Sequence, residues 1–459
     1  MTKTNNLVQG GILKSLVSLA LPIMGTSFIQ MAYNMTDMIW IGRTGSLAVA
    51  AVGTASFFTW FGQSFILLSK TGAEIGVSQS LGREDINTAK SYVCTAIQLN
   101  ILCAILYSII LIFFKSNLIG FFNLNSNVVI KMAETYLVFI SLGLIFNFIN
   151  PVLTGIFNGM GNSKTPFKIN TVGLILNIFL DPILIFGFGP IPALGVTGAA
   201  IATVLAQTIV TILFLYEINK INILLFKINL FKSFKLTYLK EILKLGLPVA
   251  IQNGLLSFFA MIIGRIISVF GDTAIAVQKV GTQIEAISWM TAGGFSSAIS
   301  AFVGQNYGAK KINRIFKGYS IALKVVSIIG VITSLLLILF AKPLFCIFIR
   351  EPEAVSLGVD YLKILGVSQF FMCIEITTGG AFNGLGKTYL PAIISIVFTG
   401  LRIPFALLLS KSNLLGLNGV WWSISISSIF KGIILVMLFI ILIIRNKKFI
   451  SSFNENLEM

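Results

Sequence analysis

The sequence predicts an all-α membrane protein, with twelve transmembrane helices in two parallel-repeat six-helix bundles. Three observations carry that prediction. Hydrophobic residues make up 56% of the 459-residue chain and charged residues only 11%, with a mean hydropathy of +0.93. A soluble chain carries roughly a quarter of its residues charged, so this one lacks the polar surface to cover a globule in water. Apolar runs long enough to cross a bilayer, about twenty residues each, recur between short polar segments. The second half of the chain also repeats the first.

Taken in order, the spans are 15–41, 50–81, 91–114, 132–157, 169–186, 195–218, 245–268, 275–305, 318–341, 356–382, 390–410 and 416–444. The apolar run beginning near Leu16 is interrupted by polar residues through Asp37 and shows no small-residue cleavage site, so a retained first span is expected. An even number of spans puts both termini on one side. With the termini cytoplasmic, the outer segments hold only Arg43, Lys115, Lys131, Lys342, Arg350 and Lys411. The inner segments hold the larger share, including Lys220, Lys227, Lys232, Lys235, Lys240 and Lys244, with Lys3, Lys310, Lys311, Arg314, Arg445, Lys447 and Lys448. The positive-inside rule therefore predicts a multi-pass protein of the cell membrane with both ends inside. The same placement explains the net charge of +17 by anionic lipid rather than nucleic acid. The expected organisation is an N-terminal bundle at 1–218, a basic cytoplasmic linker at 219–244 and a C-terminal bundle at 245–459.

Six pairs lie 226 residues apart: Pro22/Pro248, Gly45/Gly271, Ala48/Ala274, Gln79/Gln305, Gly82/Gly308 and Asn87/Asn313. Further on the offset becomes 225, at Tyr136/Tyr361, Gly155/Gly380 and Pro166/Pro391, and Phe157-Asn158-Gly159 recurs as Phe382-Asn383-Gly384. Six spans per repeat give both copies the same orientation, an arrangement that in transporters places a cavity between two bundles. Duplicated bundles occur in channels as well. Gly195-x-x-Gly198 and Gly416-x-x-Gly419 are expected to serve close helix packing.

Positions that the repeat does not copy are candidates for function. Asp37 in the first span corresponds to Ile263, Asp181 in the fifth to Ala406, and Asn177 to Arg402. A carboxylate in the bilayer costs roughly 2.5–3.5 kcal/mol on insertion scales, so it faces a bundle interior, binds a cation or holds a proton. Asn177 and Asp181 share one helix face, being four residues apart. Pro182 deprives the Ile178 carbonyl of its helical donor. Pro22 predicts a kink fifteen residues before Asp37, and Thr203 in the sixth span adds a hydroxyl. Oxygen ligands alone suit a hard cation or a proton. The ordinary alternative puts each Asp at the outer interface or beside a basic residue.

Other buried charges read more plainly. Lys70 with Glu74, and Lys279 with Glu285, are expected to neutralise each other, whereas Glu375 has no local partner and is expected to face the cavity. Trp60, Trp289, Met290, Phe370 and Phe371 are candidates for an apolar substrate pocket, although such residues mostly pack. The chain has no His, which excludes His-based triads and His-ligated metals, and its four Cys form no CxxC pair. Gly386-Lys387-Thr388 lacks the leading Gly of a phosphate-binding loop, since Ala381 stands there. The expected driving force is therefore an ion gradient, worth about 2.3 kcal/mol per charge at 100 mV.

Asn34-Met-Thr-Asp37-Met-Ile-Trp-Ile-Gly42-Arg43-Thr-Gly45, the doubled Gln-x-x-Gly of Gln79/Gly82 and Gln305/Gly308, and the doubled Phe-Asn-Gly-x-Gly together resemble multidrug and toxic compound extrusion (MATE) transporters over nearly the whole chain. The resemblance implies efflux of small organic, often cationic compounds in exchange for sodium ions or protons, with no cofactor and no enzymatic step. It also implies a cation site on Asp37, Asn177, Asp181 and Thr203. NorM-type members carry acidic residues in the seventh and tenth spans. Here 248–268 has none and the tenth span offers only Glu375, which places the chain closer to the DinF-like branch. The expected mechanism is alternating access by a monomer, with Pro22 as a gating kink. The rivals are a flippase for lipid-linked saccharides, which commonly has about fourteen spans, an intramembrane enzyme, which finds no catalytic constellation here, and a channel.

Overall fold

The computed structural model describes residues 7–124, 126–220, 223–230, 235–411 and 413–441, and it is all-helical over them apart from a lone antiparallel bridge at Phe188 and Ile191. The first repeat comprises α1 (Ile12–Gly42), α2 (Ser46–Gly82), α3 (Ile86–Phe113), α4 (Lys115–Gly120), α5 (Asn127–Leu142), α6 (Leu144–Gly159), α7 (Lys164–Phe186) and α8 (Gly195–Lys220). A 3-10 turn at Leu224–Phe226 precedes the second repeat. That repeat comprises α9 (Leu236–Ser268), α10 (Asp272–Gly308), α11 (Ile312–Leu339), α12 (Ala341–Cys346), α13 (Pro352–Gly384), α14 (Tyr389–Leu409) and α15 (Leu417–Phe439). Lys3, Lys232, Arg445, Lys447 and Lys448, used above for orientation, lie outside the described residues, as do 221–222 and 231–234 of the expected linker.

Among the described residues, eleven helices are long and apolar enough to cross a membrane, and α5 with α6 makes a twelfth span bent by 52°. The sequence predicts that fourth span as the single run 132–157. Gly143 stands at the break, where an added Cβ would lie 2.3 Å from Val204 Cγ2. Ser368 occupies the corresponding position in the second half, and there α13 runs unbroken. The short helices α4 and α12 escaped the hydropathy reading because six residues are too few to span anything.

The repeat extends to backbone angles. Gly45 and Gly271 precede α2 and α10 at φ 122° and 99°, a conformation that glycine alone adopts cheaply. Glu84 and Lys310, also 226 apart, both take the left-handed conformation that closes the following turn. Packing repeats as well. A Cβ on Gly198 would lie 2.2 Å from the Leu184 carbonyl oxygen, and one on Gly419 the same 2.2 Å from that of Leu409. Gly198 and Gly419 thus let α8 rest on α7 and α15 rest on α14, whereas Gly195 and Gly416, also expected to serve packing, meet nothing within 4 Å and instead take positive φ at the helix starts.

By contacts the described residues form two units. Over the described residues, one is built from 25–250, the other from 7–24 with 251–441. The chain passes from one to the other two residues after Pro22 and again two residues after Pro248. In the first unit, Tyr107 and Phe148 pack with Ile66, Leu137 and Ile140, while Phe157, Phe214 and Ile242 anchor a second apolar cluster. In the second unit, Leu7, Leu16 and Leu19 are buried with Phe302, Phe382 and Phe439. Asn306 Nδ2 and Arg314 Nε both donate to the Leu7 carbonyl, at 3.1 Å each, which fixes the segment before α1.

Candidate functional site

Three helices of the first unit bring the four predicted site residues together. Asp37 comes from α1, Asn177 and Asp181 from one face of α7, and Thr203 from α8. Asn177 and Asp181 are fully buried. Asn177 Nδ2 donates to Asp181 Oδ1 at 3.1 Å, and Thr203 Oγ1 donates to Asp37 Oδ2 at 3.4 Å. Asp37 is also within electrostatic reach of Asp181. The cluster is thus closed through side chains that are distant in sequence.

What remains open is informative. Asp37 Oδ1, Asn177 Oδ1 and Asp181 Oδ2 are all buried without a hydrogen-bond partner. Buried polar atoms normally find partners, and leaving a charged one bare costs more than a neutral one. Among the described residues, the groups that act most strongly on Asp37 and Asp181 are each other, Asn177 and Thr203, none of them cationic. Three orphaned oxygens, two of them from carboxylates, form an acceptor-only nest, which a hard cation or a shared proton would satisfy. Among the described residues no group of three His, Cys, Asp or Glu is placed to hold a metal ion, so the donors are of the mixed carboxylate, amide and hydroxyl kind.

Two residues of this site went unnoticed in the sequence. Tyr33 stands one turn before Asp37 on α1, and its hydroxyl donates to the Thr203 carbonyl at 3.5 Å. Tyr136 is buried within electrostatic reach of both aspartates. The i to i+4 spacing of Tyr33 and Asp37 was a usable signal. Tyr136 gave none, because the repeat copies it as Tyr361 and it read as scaffold.

The remaining candidates fall elsewhere. Trp60 of α2 is 64% exposed and Trp289 of α10 is 42% exposed, while Met290 and Phe371 are half-buried. Glu375 does have a partner: Lys431 of α15 lies 2.9 Å away, with both side chains buried. The expected Lys279–Glu285 pair also gives way. Lys279 is exposed, and Glu285 instead accepts hydrogen bonds from Tyr361 and Gln369 of α13. Glu285 and Glu375 are both satisfied from other helices rather than along their own.

Comparison with known proteins agrees with this architecture. The MatE family model matches residues 22–183 and again 248–408, once per repeat. A probable multidrug resistance protein NorM of Thermotoga maritima is 30% identical over 94% of this chain and 92% of its own length. A probable multidrug resistance protein YpnP of Bacillus subtilis is 28% identical over 94% and 95%. An FAD transporter of Shewanella oneidensis is 24% identical over 94% and 95%. Among solved structures, a MATE protein in complex with MaD3S superposes with a TM-score of 0.89 at 23% identity, covering 99% of this chain and 100% of that one. A MOP superfamily transporter of Pyrococcus furiosus gives 0.87 at 23% identity, over 99% of each chain. A family match in both halves and a relative aligned along almost its whole length lead to one conclusion: this chain belongs to the MatE family of membrane transporters and is not an enzyme.

Proposed function

We propose that this transporter exports small organic, often cationic compounds from the cell in exchange for sodium ions or protons. It does so by alternating access, as a monomer in the cell membrane with both termini cytoplasmic. The acceptor-only nest at Asp37, Asn177 and Asp181 is the observation that carries the reading. Two buried carboxylates whose strongest-acting neighbours among the described residues include no cation call for a mobile positive charge, and a gradient of that charge can drive transport. A cation entering from outside would be held by Asp37, Asn177 and Asp181, with the Thr203 hydroxyl at the margin. Its arrival reshapes the Pro22-containing α1 and lowers the affinity for substrate. By linkage, the substrate lowers the affinity for the cation by the same factor.

Trp60, Trp289, Met290 and Phe371 are assigned to substrate contact, as large apolar side chains that the bundle cores leave at least partly uncovered. The names of the relatives in Thermotoga maritima and Bacillus subtilis support a drug-like substrate, and the Shewanella oneidensis relative adds FAD to the compounds worth testing.

The test is efflux of a fluorescent cationic dye from loaded cells or everted vesicles, with sodium and pH gradients imposed separately. Export that follows one gradient and disappears in Asp37→Asn supports antiport and names the ion. A panel of dyes that moves under neither gradient overturns the reading in favour of a lipid-linked saccharide or another amphipathic lipid as cargo.

A further inference from the structure

The second unit carries the repeat of the cation site, but with its charges rearranged. Arg402 stands where the first repeat has Asn177, Ala406 where it has Asp181, and Ile263 where it has Asp37. This correspondence is structural as well as sequential, because Gly198 abuts the carbonyl of Leu184 and Gly419 that of Leu409, which keeps α7 and α14 at an offset of 225 and sets α8 and α15 at 221. In that register Ser427 and Ser428 of α15 take the places of Ala206 and Gln207 of α8. The Arg402 guanidinium donates to both of those serine hydroxyls, to Ser428 at 3.1 Å. It is also within electrostatic reach of Glu375, Glu285 and Tyr361.

Charge balance separates the two copies. Among the described residues, the buried charged side chains of the second unit are Glu285, Glu375 and Lys431. With Arg402 they make two cations against two carboxylates, and the cluster is neutral without help. The Asp37–Asp181 cluster has two carboxylates, and among the described residues the groups that act most strongly on them, Asn177 and Thr203, are neutral. Orphaned oxygens also remain in the second unit. Gln369 Oε1 and Glu375 Oε2 are buried without a hydrogen-bond partner, and Gln369 Nε2 already donates to Glu285.

We propose that Arg402 is a tethered cation that does for the second unit what a bound coupling ion does for the first, and that it masks a cation site formed by Glu285, Glu375 and Gln369. The comparison with the first unit rests on the reading of Asp37 and Asp181 as the coupling site. The masked site itself rests on the charges of the second unit alone. A guanidinium cannot deprotonate or leave, so the second unit keeps one electrostatic state through the cycle and the number of coupling ions is set by the first. Removing the guanidinium leaves one buried carboxylate uncompensated, which must then take up a cation or a proton.

The experiment uses the full-length protein in lipid nanodiscs, measuring binding of radiolabelled sodium and proton uptake together, as cation equivalents per chain. In an Asp37→Asn/Asp181→Asn background, addition of Arg402→Gln is expected to gain one equivalent and Arg402→Lys none. No gain with Gln, or an equal gain with Lys, overturns the proposal. Should the Gln variant fold poorly, Arg402→Gln/Glu375→Gln restores neutrality and is expected to recover the folded yield with no equivalent gained. A double variant that stays unfolded overturns the charge argument. Wild-type protein measured alongside keeps the two readings apart. A wild type that binds no cation equivalent defeats the coupling site in the first unit, while the background variants still decide the one in the second.

Discussion

The Asn177 carboxamide donates to the Asp181 carboxylate at 3.1 Å, one turn along the same face of α7, and in doing so turns its own oxygen into an acceptor without a partner. The amide therefore gives one carboxylate a donor and adds a neutral oxygen to the nest. Asp37→Asn and Asp181→Asn each keep the shape of the side chain while removing a negative charge. Gradient-driven dye export, normalised to inserted protein, should fall at least about tenfold in either variant, equivalent to roughly 1.4 kcal/mol. Undiminished export in both would remove the site from the mechanism.

Thr203 should matter less, and in a different way. Its hydroxyl reaches Asp37 at 3.4 Å, a long hydrogen bond, and such bonds contribute about 1 kcal/mol or less. Thr203→Ala is expected to raise the half-saturating cation concentration roughly fivefold with the maximal rate retained. Thr203→Ser keeps the hydroxyl and should behave as wild type. Equal behaviour of Ala and Ser would show that the methyl group, rather than the hydroxyl, is what the site uses.

The packing glycines give a prediction about stability alone. Ala at 198 or 419 would bring Cβ to 2.2 Å from a backbone carbonyl, and backbone cannot rotate away as a side chain can. Gly198→Ala and Gly419→Ala should each cost about 1–3 kcal/mol, seen as a lower unfolding midpoint in detergent. Gly53→Ala in α2 meets nothing within 4 Å and should hold or raise that midpoint, because Ala is the better helix former. A similar drop in all three would show a general intolerance of larger residues instead of two tight contacts.

These contrasts also show what was legible in the sequence. Spans such as 195–218 emerge almost unaltered as α8, because length and apolarity are local properties. Asp37, Asn177 and Asp181 stand out because unequal halves of a repeat expose what the scaffold does not need, while Thr203 enters through its hydroxyl in the sixth span and the family resemblance. The bend at Gly143 was hidden, since hydropathy carries no direction and a glycine in an apolar run looks like any small residue. Tyr136 was hidden for the opposite reason: being duplicated, it passed for framework. The pairing of Lys431 with Glu375 was hidden because the two residues are 56 apart in sequence and meet only where α13 packs against α15.

That last pair yields the sharpest energetic prediction. Lys431 Nζ and Glu375 Oε1 lie 2.9 Å apart with about nine-tenths of each side chain shielded. Two buried charges gain little over a well-packed apolar pair, because the desolvation they suffer offsets most of their attraction. Removing one of them is another matter, since the survivor keeps its desolvation penalty and loses its compensation. Lys431→Met should therefore cost about 3–5 kcal/mol, and Glu375→Leu a comparable amount. The double variant Lys431→Met/Glu375→Leu should recover most of that loss, giving a coupling of at least about 2 kcal/mol between the two sites. Unfolding midpoints of the four proteins in detergent measure the cycle. Additive losses would mean that each side chain is held by other groups and that the short distance between them contributes nothing of its own.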